Sequence, residues 1–311
     1  VSAGAAAPGS PGASLTWNLW SDITQVLTFH FMVNAVQAGT IIAVAAGVIG
    51  WFMILRRQSF AGHTLAVVAF PGASGAIWLG LPAAAGYFGF CTAAALFITA
   101  TPRSHGGAGF SQESAVIGTV QAFALACGFL FVSLYKGFLD GITSLLFGSF
   151  LGISDSQVLT LLIAAVAALA VLAVIGRPLF FASIDPAVSA ARGVPVRALS
   201  VIFLLLLGIA AAEVSQITGA LLVFALLVMP AAAAQQLTTR PALSLSLTVV
   251  IALAITWLGL GVAYFSVYPV GFFITTFGFA AYALAVAARQ AAGRLARRTR
   301  PAAIAGSARA W

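Results

Sequence analysis

The strongest constraint on this chain is the length of its charge-free stretches. No Asp, Glu, Lys or Arg occurs in residues 23–55, 58–102, 114–135, 156–176 or 241–288, and Glu213 alone interrupts 198–239. A helix needs about 20 predominantly apolar residues to cross the hydrocarbon of a bilayer. The first stretch therefore holds one span, from about Phe29 to Leu55. The second holds two, broken near Gly80-Leu81-Pro82. Residues 114–135 and 156–176 hold one each. Residues 198–239 hold two, broken near Thr218-Gly219, and 241–288 hold two more, turned at Tyr268-Pro269. The fold expected is an all-α, polytopic helical bundle with about nine spans, eight to ten being the range. The apolar stretch 141–152 is too short to cross and reads as interfacial or re-entrant.

Composition agrees. Only 6% of the 311 residues are charged, against about 25% in soluble domains. So few charges could not cover a water-facing surface. The net charge of +8 lacks the basic patch with interleaved polar residues that nucleic acid would need, so nucleic acid is not an expected partner. Its meaning lies in topology. Nine crossings put Arg56, Arg57, Arg103, Arg177, Arg192, Arg197, Arg240 and the six arginines from Arg289 to Arg309 on one side, with Lys136 alone opposite. By the positive-inside rule that side is the cytoplasm, which places the N-terminus outside and the C-terminus inside a bacterial plasma membrane. Residues 1–24 read as a disordered extracellular extension rather than a signal peptide, 25–288 as the membrane domain, and 289–311 as a basic cytoplasmic tail suited to anionic lipid.

Catalytic chemistry is not indicated. No phosphate-binding Gly-x-x-x-x-Gly-Lys-Ser/Thr loop occurs, nor a Ser/His/Asp set, a metalloprotease helix or paired intramembrane aspartates. Cys91 and Cys127 lie far apart in apolar runs and suggest neither a disulfide framework nor a thiolate metal site. The chain is expected to be no enzyme and to bind no cofactor of its own. Glu213, an acid within a span, is the best candidate for a transport pathway, because ionisable groups in membrane helices usually face a pathway or a partner. The competing account has it wetted at the interface beside Ser215 and Gln216.

One soluble-facing segment has firm local signals. Asp185 suits a helix N-cap, Pro186 the first helical position, and Gly193 a left-handed stop, with Pro195 beyond. About two turns between two spans are too short to be stable alone and must pack on something. The residues alone leave open a connector resting on its own bundle and a docking helix for a cytoplasmic motor.

Five motifs, in order, resemble the permease subunits of zinc/manganese-type ABC importers. They are LRRQSFAGHTLAVVAFPGA (55–73), LLFGSFLGIS (145–154), SIDPAVSAARGV (183–194), TGALLVFALLVMPAAAA (218–234) and YPVGFFI (268–274). The resemblance runs from Phe31 to about Ala288. It implies import of a divalent transition metal, zinc or manganese with iron possible, as cargo. The implied partners are a cytoplasmic ABC ATPase dimer carrying the ATP, a second permease copy or homologue, and an extracellular metal-binding lipoprotein. It also implies that the segment 185–193, with Asp185, Pro186, Ala187, Ala190 and Gly193, docks the ATPase. Lys136, Asp140 and Asp155 would meet the binding protein. Where that family often carries an Asp and, four residues on, a His, this chain has His63 and Val67. His63 is thus the one candidate metal ligand in the membrane, with simple exposure at the inner end of its helix as the other reading. Rival functions are import of a metal chelate or vitamin, and a secondary transporter that needs no motor.

Overall fold

A computed structural model describes residues 28–100, 109–135, 148, 152–220, 223–266 and 268–298. Among them are ten α-helices and no strand: α1 (His30–Leu55), α2 (Ser59–Trp78), α3 (Ala83–Ala100), α4 (Gly109–Leu134), α5 (Asp155–Ile184), α6 (Pro186–Ala191), α7 (Val196–Thr218), α8 (Val223–Leu237), α9 (Pro241–Tyr264) and α10 (Val270–Arg298). Eight are long and apolar enough to span a membrane.

The sequence of these helices is apolar around nearly the whole circumference, as it must be when lipid replaces water outside. Burial sorts them instead. α1, α2 and α7 are mostly buried and form the centre, while α3, α4, α5, α9 and α10 turn most of their surface outward. α7 packs on α1, α2, α3 and α5, and α8 lies among α1, α9 and α10. Small residues permit the closest approach. A Cβ on Gly72 of α2 would strike the carbonyl of Gly86 in α3, and a Cβ on Gly86 would strike that of Gly72. Backbone-to-backbone contact of this kind is how membrane helices gain packing without a hydrophobic drive. Polar clasps add to it: Trp51 Nε1 donates to Ser244 Oγ (3.0 Å) and Trp257 Nε1 to Thr40 Oγ1 (3.0 Å), both joining α1 to α9.

Turns follow local chemistry. α1 ends with Arg57 N–H bonded to Ile54 O and Gln58 N–H to Met53 O, both at 3.0 Å, a Schellman pair. The left-handed position is filled by Arg57, at φ 56°, where glycine would be the usual occupant.

Two helices differ in length from the charge-free stretches that predict them. The span expected at 156–176 does not stop at Arg177-Pro178: α5 is one helix of 30 residues that carries Pro178 inside it. Leu172, Leu179 and Ala182 are buried on either side of that proline, so tertiary packing holds the helix through the lost hydrogen bond. At 1.5 Å per residue α5 is about 45 Å long and overruns a hydrocarbon core of about 30 Å. In the second span expected in 198–239, residues 223–237 are described as helix. α8 has 15 residues, about 22 Å. Near its described start Phe224 packs on His63, in the second turn of α2. The break at Thr218-Gly219 is where expected, with Gly219 at φ 77° and ψ 156°, a conformation open essentially to glycine alone.

Candidate functional site

The α5–α7 connection forms α6 as its residues dictate. Asp185 is the N-cap, its Oδ1 accepting from Val188 N–H at 3.0 Å, and Pro186 opens the helix. Gly193 N–H bonds to Ala190 O and Val194 N–H to Ser189 O, both at 3.0 Å, with Gly193 at φ 80°. Ser189 is buried against the bundle, whereas Ala187, Val188, Ala190 and Ala191 are exposed. The result is a short helix capped at both ends, with exposed apolar residues, beyond the end of α5.

In the centre, Glu213 is fully buried in α7. Neither carboxylate oxygen has a hydrogen-bond partner among the described residues. The account in which Glu213 is wetted at the interface is therefore incorrect: the preceding turns of α7 carry it into the packed core. Gln216, three residues on and thus on the same side of the helix, has its amide nitrogen buried and without a partner among the described residues, as does Gln235 in α8. An enclosed carboxylate flanked by an amide can receive a positive charge that the surroundings do not supply.

His63 is half-buried, its ring edge-on to Phe224 with centroids 5.1 Å apart. Its neighbour Thr64 donates to Gln121 Oε1 at 3.0 Å, tying α2 to α4. Val67 is buried. Among the described residues no three of His, Cys, Asp and Glu come together, and His63 stands as a lone imidazole. Cys91 is buried and donates to Leu65 O at 3.3 Å.

At the far end of α5, Ser154 and Gln157 form a capping box and Asp155 opens the helix. Asp155 Oδ1 accepts from Asn34 Nδ2 at 2.7 Å and lies 3.1 Å from His30 Nε2, while Asn34 Nδ2 also reaches Ile153 O at 3.1 Å. Asp155 remains exposed but is engaged with α1. Sequence reasoning missed Asn34, a buried amide in an apolar helix, which that contrast could have flagged. Lys136 and Asp140 lie outside the described residues, as do the termini at 1–27 and 299–311. Most of the apolar stretch 141–152 does too. Its Gly148, at φ 81°, sits where a Cβ would strike Ile217 O and Thr218 C, hard against the end of α7.

Comparison with known proteins adds family context. A profile described as the ABC 3 transport family matches residues 28–289. The chain is 30% identical over 218 residues to the chelated iron transport system membrane protein YfeC of Yersinia pestis, covering 70% of this chain and 72% of that protein. It is 29% identical over 206 residues to the manganese import system permease protein ScaB of Streptococcus parasanguinis, covering 66% and 72%. Among solved structures it resembles PsaBC from Streptococcus pneumoniae in complex with Fab, with a TM-score of 0.76 and 24% identity over 86% of this chain and 94% of that one.

Proposed function

Because this chain belongs to the ABC 3 transport family, we propose that it is the membrane-embedded permease subunit of an ATP-driven importer of a divalent transition metal. Its relatives are named for manganese and chelated iron, so manganese and iron are the first cargoes to test, ahead of zinc. ATP hydrolysis belongs to a separate cytoplasmic subunit that docks on α6, and an extracellular protein delivers the metal to the opposite face. A second permease completes the assembly in a bacterial plasma membrane, with α6 and the basic tail in the cytoplasm.

The observation that carries this reading is α6: a hard-capped, exposed, apolar helix held between two spans, in a chain that matches the family over nearly its whole membrane domain. A motor-free transporter would need it only as a connector. Glu213 is the pathway residue, offering a transient negative charge to the passing cation, while His63 flanks the route. Few ligands suit a permease, since a tight membrane site slows release.

The test is purification of the tagged chain from its native membrane followed by uptake in proteoliposomes. An ATPase at near-equal stoichiometry and ATP-dependent uptake of manganese or iron support the reading. An intact, monodisperse chain without an ATPase overturns it. Uptake of chelated iron in preference to the free ions selects the chelate reading, which the likeness to YfeC favours.

A further inference from the structure

Arg56, at the inner end of α1, is the C-cap of that helix. Its guanidinium reaches across to both arms that carry α6. Nη1 donates to Ser183 Oγ at 3.2 Å, in the last turn of α5, two residues before the Asp185 cap. Nη2 donates to Ser200 Oγ at 2.7 Å, in the second turn of α7. Nε donates to Gln58 Oε1 at 3.3 Å, which fixes the plane of the fork, and Cζ lies 5.4 Å from the centre of the buried Phe203 ring.

The serines are oriented as acceptors. Each spends its own proton on its own helix, Ser183 on Leu179 O and Ser200 on Val196 O. Their lone pairs are left for the arginine, so the bonds run in one direction from α1 into α5 and α7. A guanidinium is planar with donors at fixed angles, and a lysine ammonium, a compact charge on a flexible stem, does not reproduce that fork. The two arms of α6 cannot move relative to α1 without breaking a bond to this group.

We propose that Arg56 is a positioning residue that links the docking helix to the membrane bundle. By holding Ser183 and Ser200, it passes a displacement of α6 to the inner end of α1. From there contact continues: the α1 backbone at Gly50 touches the carbonyl of Leu227 in α8, so closely that a Cβ would collide. This inference rests on the reading of α6 as the ATPase-docking helix.

The test uses hydrogen exchange on the chain in complex with its ATPase, nucleotide-free and trapped with ATP and vanadate, together with uptake in proteoliposomes. In the wild type, ATPase binding slows exchange at 186–191, and trapping changes exchange at 54–58. In the Ser183→Ala/Ser200→Ala double variant, and in Arg56→Lys, masking at 186–191 persists, the nucleotide-driven change at 54–58 is lost, and uptake falls about tenfold. If 54–58 responds in the variants as in the wild type, the link through Arg56 is wrong while docking stands. If the wild type shows no masking at 186–191, the docking reading fails and takes this inference with it. The serine pair keeps the test open should Arg56→Lys fail to fold, since Arg56 there keeps its bond to Gln58 and its place over Phe203.

Discussion

Glu213 is enclosed with both oxygens unpaired among the described residues, and removing its charge alone probes what that position is for. Glu213→Gln keeps the shape and is expected to leave the protein monodisperse while lowering metal uptake about tenfold or more, measured as initial rates in proteoliposomes. Uptake at the wild-type rate would make Glu213 a packing residue. Arg57 offers the opposite experiment. Its left-handed backbone serves the turn after α1, so Arg57→Gly is expected to raise stability by about 0.5–1 kcal/mol, read as a higher melting temperature in detergent. At this scale the sequence was legible where one residue contrasts with its neighbours. A lone acid in an apolar run is visible; so is an Asp-Pro beside a Gly. The Arg56 fork and the Asn34–Asp155 pair were not, because their partners lie more than a hundred positions away and only helix packing brings them together.

At the scale of elements, α6 was read correctly from its caps, because capping is local chemistry. Its stop is testable without disturbing anything else: a Cβ on Gly193 meets open space, so Gly193→Val has only the backbone penalty, about 1–2 kcal/mol or more for a β-branched residue. Co-purified ATPase and ATP-dependent uptake are both expected to fall. Unchanged uptake would remove the docking role. By contrast Gly86→Val forces a side chain into the Gly72 carbonyl, and overpacking of about 1–3 kcal/mol is expected to cut the yield of monodisperse protein. The length of α5 and the shortness of α8 escaped the sequence for a shared reason. Arg177-Pro178 reads as an end and Val223–Leu237 as part of a full span until one knows which faces are buried. Leu172, Leu179 and Ala182 carry α5 past its proline, and Phe224 packs on His63 near the described start of α8.

Over the whole molecule, the charge-free stretches specified the order of the helices: among the described residues nine apolar helices stand in the expected order, and eight are long enough to span, within the expected range of eight to ten. The arrangement of arginines adds a testable orientation. A single cysteine placed at Ala190 of α6, in a variant lacking Cys91 and Cys127, is expected to react with an impermeant thiol reagent only in inside-out vesicles. Labelling of sealed, right-side-out cells would reverse the topology. The short α8 has a further consequence in electrical terms. The work of moving a cation across a membrane grows with the thickness of low-permittivity material around it. Beside a described helix of about 22 Å in a slab of about 30 Å, the break at Thr218-Gly219 would leave part of the proposed route bordered by non-helical backbone. Carbonyl and amide dipoles there can turn toward an ion, as the side chains of a closed helix cannot. On the proposed reading, that break would thin the dielectric barrier at one place in the bundle, and a chain with very few charges could still offer an ion a way through.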